Sequence, residues 1–463
     1  MYPTYSERGG TDKSLAILIG HSLYIENVGY LTVDTFADLL ERLFNYNCIT
    51  FTDSLTDKKI FPFLRDAIQH ESTEVMATAE AKPLAIRSVR RQRSRWIVPS
   101  STWSRKIDDW FLHDMRKLFT LVDMVKPTPG SLGQGLLRRN FSQFYLPRHT
   151  APNVIALDYM REHGHGGRCD TMCDKGTEYD SLLSLDESDS YLAHSMSLPT
   201  GTSYWFKNGH CIMFATWFAE CEVTIHNDLV LGPFPVRTGK RNGKIKWATK
   251  RGKYRTFLWR EQAEDAERAG CSVTVRDGLG WKYLTNDLES YARYMHRTRM
   301  AVAGSSIEPD VKKTSVSGLG HFGMKNTYHY LTDIDDGGES PSLLNDKGKP
   351  MKYFVATEVD YRRPSMLHWY NYLIMQCART LYNYALPYAL AGRLVMTNYD
   401  ELLILEKDET SKYPEKHTLE SMMVEMGDLR WQRLTNVKIL GDRSLRCDQK
   451  IVTPGVSHDK DVA

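Results

Sequence analysis

Hydrophobic spacing in the first part of the chain changes period twice. SLAILIG and CITFT are short, continuous apolar runs, the pattern of buried strands, and the intervening TVDTFADLLERLF puts Phe36, Leu39, Leu40 and Leu43 on one helical face. Strands alternating with a helix predict an α/β domain. Pro127, Pro129 and Gly130 then interrupt the pattern, and Gly164, Gly166 and Gly167 predict a flexible joint near residue 165. Beyond it CIMFATWF and CEVTIH read as strands, 286–302 and 310–325 as two helices, and 364–388 as a helix rich in Leu, Tyr and Met. GRLVMTNYDELLILE reads as two apolar strands meeting at a polar turn that carries Asp400.

Composition narrows the class. Of 463 residues 41% are hydrophobic, 25% charged and 11% aromatic, which excludes a disordered or fibrous chain. No uncharged apolar run approaches the roughly 18 residues a membrane span needs, so no membrane partner is expected. The start, MYPTYSERGGTDK, lacks the cationic and apolar regions of a secretory signal. An intracellular, non-secreted protein with thiol cysteines follows as the expectation.

Sixty basic residues against fifty-seven acidic ones leave +3, so placement matters more than net charge. Nine cations and no acid lie between Arg237 and Arg255 (Arg237, Lys240, Arg241, Lys244, Lys246, Lys250, Arg251, Lys253, Arg255), interleaved with Trp247 and Tyr254. Such a run suits a phosphate backbone with stacked bases, although a solvated hairpin is its commoner origin. A second basic stretch, Arg87 to Arg95, has no clear period and reads as a loop. His163, His165, Cys169 and Cys173 supply four N and S donors, and a zinc module is the minor reading of that stretch.

Two acidic positions stand out. Asp186, Glu187 and Asp189 follow the apolar Leu182, Leu183 and Leu185, so a carboxylate is expected at a strand end opening into a helix, where the helix dipole and a divalent cation favour phosphate. Asp400 at a hairpin tip supplies a second carboxylate, and two such groups around Mg²⁺ are what in-line phosphoryl transfer requires. Between them Lys312, Val316, Leu319 and Gly320 share a helical face on which Gly320 permits close approach. The preceding helix carries Arg293, Arg297 and Arg299, cations suited to a triphosphate.

Taken in order, these groups resemble motifs A, B and C of family-B DNA polymerases, most closely the protein-primed branch of phages, viruses and linear plasmids. Asp186, Ser190 and Tyr191 in LDESDSYLAHSMSLPTG resemble D-x-N-S-L-Y-P, and the following LPTG is also similar. Lys312, Ser317, Gly320, Phe322 and Gly323 in KKTSVSGLGHFGMK resemble K-x-x-x-N-S-x-Y-G-x-F-G, with Val316 and Leu319 replacing Asn and Tyr. MTNYDE resembles Y-x-D-T-D-S, with Asn398 at the first Asp and Asp400 at the second. REQAEDAERAGCSVTVRDGLGW is similar to a palm segment of the family. Gly166, Gly167 and Arg168 resemble its Y-x-G-G linker, and Arg443 alone matches its K-x-Y thumb element. ITFTDSLTDKKIFPFL and WFLHD resemble exonuclease motifs and map Asp57 and Asp114 onto metal-binding positions, but no D-x-E motif precedes them.

The resemblance, over about residues 30 to 450, implies an α/β right-hand polymerase preceded by a partial RNase H-like exonuclease domain. The divisions expected are 1–150 exonuclease-like, 151–283 linker and first palm part, 284–326 fingers hairpin, 327–410 second palm part, and 411–463 a short thumb-like region. The start after the place of the missing exonuclease motif reads as a truncated or split polymerase without proofreading. The implied partners are DNA primer-template, deoxynucleoside triphosphates and a terminal protein primer; the implied cofactor is a pair of Mg²⁺ ions, with Mn²⁺ as substitute. The resemblance casts Asp186 and Asp400 as metal ligands and Lys312 as the triphosphate cation. It makes Tyr191 the residue that rejects a ribose, and Ser190, Leu319, Gly320, Arg293 and Arg297 nucleotide contacts. Gly166, Gly167, Arg168 and Arg443 become DNA contacts. A polymerase-like protein that binds primer and template but has lost catalysis is the alternative, suggested by the altered motif residues.

Overall fold

The computed structural model describes residues 13–19, 22–34, 36–52, 73–77, 84–88, 93–140, 153–238, 245–323, 327–332, 354–359, 366–405, 412–416, 425–441, 444–448 and 451–452. The chain divides into two compact units, residues 1–142 with 301–364, and residues 143–300 with 365–463.

In the first unit Leu15–Ile19 pairs in parallel with Ile49–Thr52, with the Phe36–Asn45 helix in the connection between them. Parallel neighbours require such a crossover, which is why the apolar runs flank a helical period. Leu39 and Leu43 are buried as their spacing predicts. Arg93–Pro99 continues the parallel set beside Ile49–Thr52. The remaining strands pair antiparallel, completing a nine-stranded sheet. Two of its strands, Thr327–Thr332 and Phe354–Val359, come from the stretch expected in the second palm part, so the 327–410 division is cut by the boundary between units. Leu84–Ser88 and Arg93–Pro99 are antiparallel partners, which corrects the loop expected across 87–95 at both of its ends.

The helices Pro129–Asn140 and Glu308–Gly320 cross at two glycines. A Cβ on Gly133 would lie 2.4 Å from the Thr314 carbonyl oxygen and 2.7 Å from the Gly318 Cα. Gln134 Nε2 also donates to the Gly318 carbonyl at 2.7 Å. Gly318 therefore makes the close approach, whereas a Cβ on Gly320 would meet nothing within 4 Å. The buried stripe follows 311, 314, 315, 318 and 319, leaving Lys312 and Val316 exposed.

The second unit is built on a seven-stranded sheet whose central strand is Glu178–Glu187. On one side it pairs with Glu401–Ile404, the second arm of the hairpin that begins at Leu394–Asn398, as the two apolar runs predict. On the other it pairs along Leu429–Gly441. This 13-residue strand lies in the stretch expected as a separate thumb, and its alternating burial shows why it joins the sheet. CIMFATWF and CEVTIH are not two strands; Thr216–Ile225 runs through both and sits in a four-stranded sheet between Ser272–Trp281 and Gly252–Trp259.

The Leu367–Leu390 helix covers one face of the seven-stranded sheet through Leu381, Tyr382 and Ala385 against Leu183, Leu185, Leu402 and Ile404. The opposite face holds Leu182, Leu403, Leu434 and Val437. The glycines near 165 lie inside this unit and serve its packing: a Cβ on Gly164 would meet the Met160 carbonyl oxygen at 2.6 Å and Asn371 at 2.8 Å. Close contact, not a flexible joint, explains Gly164 and Gly167. All eight cysteines are free thiols, and no helix among the described residues is long and apolar enough to cross a membrane.

Candidate active site

Asp186 lies one residue before the end of its strand and is 7% exposed. Across the ladder it faces Glu401 on one side and Arg430 on the other. Asp400 occupies the turn between the hairpin arms, and its carbonyl accepts the Glu187 amide at 2.9 Å. Asp186, on its strand, and Asp400, in the turn that leads into the neighbouring strand, are thus one register step apart. Asp186 alternates with Leu182 and Ser184, whereas Glu187 shares the face of Leu183 and Leu185.

Both turns hold non-glycine residues in the left-handed region. Tyr399, just before Asp400, has φ +57°, and Asp189, three after Asp186, has φ +47°. Bulky side chains avoid that region, so the surroundings must hold them there. The Tyr399 amide donates to the Arg168 carbonyl at 2.8 Å, and its ring fills the space beside Gly167, where a Cβ would lie 2.5 Å from Cδ1. The Asp189 carboxylate is held by His296 Nδ1 at 2.7 Å and by Arg299, both on the Glu289–Ala301 helix. Burial raises the Asp189 carboxyl, but the hydrogen bond with His296 and the Arg299 guanidinium outweigh it and hold the group below its usual range.

Ser190–His194 is a single helical turn, shorter than expected, and Asp189 rather than Asp186 sits at its start. A turn this short carries little dipole. Ser190 is buried, and its hydroxyl donates to Glu187 Oε2 at 2.7 Å while His194 Nε2 lies 2.9 Å from Oε1. The expected nucleotide contact at Ser190 is therefore corrected to a support of Glu187. Tyr191 is half-buried, and burial first, then its neighbours Cys377 and Asp400, push its phenol up. Asp400 and Tyr191 thus act on one another electrostatically.

Two cations that motif reading missed act on Asp186: Arg430 Nη2 donates to Oδ2 at 3.0 Å, and Lys416 Nζ lies 3.1 Å from the same oxygen. Arg430 was detectable from the alternation of LRWQRLTNVKILG, which marks a strand; Lys416 carries no local signal.

Other expectations are redirected. Arg168 is fully buried between Trp247 and Tyr382, 4.5 and 5.3 Å from their ring centroids, and donates to the Gly232 carbonyl at 2.7 Å; it is a core residue and no DNA contact. Gly167 makes room for Tyr399, while a Cβ on Gly166 would meet nothing within 4 Å. Leu319 is buried, so it offers no surface to a nucleotide. Arg293 and Arg297 are exposed, and Arg293 pairs with Glu289 at 2.8 Å. Lys312 is exposed on the Glu308–Gly320 helix, which belongs to the first unit. Asp114 is held in an ion pair: Arg105 Nη1 lies 2.7 Å from Oδ2 and the Ser306 hydroxyl donates to Oδ1 at 2.8 Å. Asp57 and Arg443 lie outside the described residues.

Of the basic run, residues 239–244 with Lys240, Arg241 and Lys244 lie outside the described residues; in the rest Ile245–Trp247 and Gly252–Trp259 are strands, with Trp247 buried and Tyr254 packed on Phe234, so neither ring is a stacking platform. The zinc reading also fails. His163 stacks on Phe257, His165 lies against Gln262, Cys169 lies against Asn398, and Cys173 packs in the opposite sheet face. No group of three or more His, Cys, Asp or Glu that could hold a metal occurs among the described residues. The pair Asp186 and Asp400 nevertheless fits Mg²⁺ or Mn²⁺ in donor chemistry, being hard carboxylate oxygens, with the Asp186 charge already shared by two cations.

No protein-family model matches the sequence, and no curated protein matches it. The fold does have counterparts. Phi29 DNA polymerase in a ternary complex with primer-template DNA and incoming nucleotides superposes with a TM-score of 0.71 at 10% identity, covering 96% of this chain and 93% of that one. The same polymerase in its post-translocation binary complex with primer-template DNA gives 0.67 at 10% identity, covering 96% and 91%. Its complex with single-stranded DNA gives 0.67 at 9%, covering 96% and 93%. The architecture is thus mixed α/β, that of a right-hand polymerase with an exonuclease-like domain, and similar along nearly its whole length to Phi29 DNA polymerase.

Proposed function

We propose that this chain is a template-directed DNA polymerase of the protein-primed family-B kind, extending a primer 3'-hydroxyl with deoxynucleotides. One observation carries the reading: in this polymerase fold, Asp186 lies near the end of its strand and Asp400 in the turn leading into the neighbouring strand, one register step away, at the positions that the motif resemblance picks out. Asp186 and Asp400 would hold Mg²⁺, or Mn²⁺ in its place. Bound there, divalent cations lower the pKa of an attacking hydroxyl and neutralise a leaving pyrophosphate. Arg430 and Lys416 orient the Asp186 carboxylate and moderate its charge. Tyr191 presents its ring to the sugar, and Lys312 keeps the role its motif implies, a cation for the triphosphate. Primer-template DNA, deoxynucleoside triphosphates and a terminal protein primer are the partners that go with this reading.

The test is Mg²⁺-dependent extension of a labelled primer on a template, with Asp186→Asn and Asp400→Asn as controls. Extension by the native chain and a loss of at least about a thousandfold in either variant is expected. Extension that persists in both variants removes the site assignment. A second reading has its own support: Lys416 and Arg430 already occupy Asp186 Oδ2, and Asn398 stands where the motif has an acid. A polymerase-like protein that binds primer-template without catalysis would shift DNA in a gel and add no nucleotide at any Mg²⁺ or Mn²⁺ concentration.

A further inference from the structure

Three residues beyond Asp186 and two before Tyr191, the backbone passes through Asp189 in the left-handed region, at φ +47° and ψ +41°. Asp and Asn tolerate this region better than other side chains with a Cβ, but they do not select it without support. Here the support comes from one helix. His296 and Arg299 lie on the buried side of Glu289–Ala301 and take one carboxylate oxygen each, His296 on Oδ2 and Arg299 on Oδ1. Asp189 is 3% exposed at its side chain, so the pairing is shielded from water and sensitive to geometry. On the exposed side of the same helix stand Arg293 and Arg297.

The turn on either side of Asp189 is fixed as well. Upstream, Asp186 is gripped by Arg430 and Lys416. Downstream, the Ser190 hydroxyl is tied to Glu187, and the Leu192 and Ala193 amides return to the Asp189 carbonyl at 2.8 and 3.0 Å. Release of Asp189 into the right-handed or extended region would therefore swing Ser190 and Tyr191 about a backbone whose upstream end stays in the sheet. Neither His296 nor the acid at 189 belongs to the motif resemblance, in which position 189 is a serine.

We propose that Asp189, clamped by His296 and Arg299, is the positioning residue of this site: it holds the turn from Asp186 to Tyr191 in the conformation that places the Tyr191 ring, and thereby sets discrimination against ribonucleotides. The statement about ribonucleotides rests on the polymerase reading; the statement about the Tyr191 ring does not. Asp189 touches no reacting atom in this scheme and acts through Tyr191.

Two measurements on the full chain separate these parts. The first labels the protein with 3-fluorotyrosine and follows the ¹⁹F resonance of Tyr191, assigned by its disappearance in Tyr191→Phe. Asp189→Ala, which removes both contacts and the tolerance for positive φ, is expected to shift or broaden that resonance. Asp189→Asn, which keeps the backbone preference and one hydrogen bond, is expected to leave it near its native position. The second measures the ratio of kcat/KM for a deoxynucleoside and the matching ribonucleoside triphosphate. A fall of about tenfold in Asp189→Ala and in Arg299→Ala, with recovery to within about threefold in Asp189→Asn, is the expected pattern.

A Tyr191 resonance unchanged in Asp189→Ala overturns the proposal outright, whether or not the chain polymerises. A moved resonance with an unchanged ratio overturns its second half. Absence of incorporation by the native chain would instead count against the polymerase reading, and the fluorine measurement would still decide the clamp. Should Asp189→Ala fail to fold, Arg299→Lys, which keeps the charge and loses the fork, supplies the same resonance test with a smaller expected displacement.

Discussion

Replacing Arg105 by methionine tests the clearest electrostatic arrangement in the first unit. Arg105 Nη1 lies 2.7 Å from Asp114 Oδ2, and its Nε donates to Asp310 Oδ2 at 2.7 Å. Both acids are largely buried, at 7% and 1% exposure, so one guanidinium serves two carboxylates that water cannot. Burial raises the Asp310 carboxyl to about 6 even though Arg105 pulls the other way. At Asp114 burial also raises, but the hydrogen bonds from Arg105 and Ser306 outweigh it and hold the group below its usual range. Removing the cation leaves buried charge uncompensated, a loss on the order of 3–5 kcal/mol at pH 8.

The pH dependence has a definite sign. Asp310 is raised on folding, so the folded chain holds more protons than the unfolded one between about pH 4 and 6, and stability falls as pH rises through that window, by about 3 kcal/mol in all. Without Arg105 the Asp310 carboxyl rises further, which extends the fall to higher pH; the deficit of Arg105→Met is therefore largest at pH 8 and smaller at pH 5. Urea unfolding followed by hydrogen exchange of the amides of residues 93–140 reads this unit at both pH values. Adding Asp310→Asn should restore about 1–2 kcal/mol at pH 8 by removing one stranded charge. A deficit below about 1 kcal/mol at pH 8, or one of equal size at pH 5, would refute the reasoning.

Further outcomes are equally specific. Gly133→Ala drives a Cβ into the Thr314 carbonyl and Gly318, both backbone, and should cost about 1–3 kcal/mol in urea unfolding, while Gly320→Ala, in open space, should be neutral or slightly stabilising. Gly167→Ala should cut nucleotide incorporation about tenfold or more by displacing Tyr399 and with it Asp400, whereas Gly166→Ala should leave it unchanged; equal effects would sink that account. His368 is fully buried, which lowers its imidazole to about 3, so it stays neutral when folded and its contribution is lost as pH falls below the unfolded value. Between pH 7 and 5 that loss is about 2 kcal/mol, and His368→Phe should remove this part of the pH slope.

What the sequence could reveal was set by how local each signal is. The Asp400 hairpin was legible because two apolar runs around a polar turn specify their own pairing, and Asp186 because its strand ends on an acid. Leu429–Gly441 was missed although its alternation is written in the residues, since a pattern of two does not name its partner; only pairing with Glu178–Glu187 shows that it joins the carboxylate sheet. Arg168 was misassigned for the same reason in reverse. A charged residue beside a motif looks functional until its burial and its partners are known, and Trp247 and Tyr382 are both remote in sequence.

The glycines make the point most directly. Gly167 and Gly320 carry the same residue type within motif-like stretches, yet one faces a tyrosine ring at 2.5 Å and the other faces nothing within 4 Å. The resemblance could order the acids along the chain, but not say which neighbours hold them. Those neighbours, Arg430, Lys416, His296 and Arg299, come from elsewhere in the second unit, and they determine whether Asp186 and Asp189 can hold their places. The altered motif residues, Asn398 and Asp189 among them, thus describe a site whose geometry is kept by ion pairs belonging to this chain. Its chemistry should be more sensitive to loss of those partners than motif identity alone suggests.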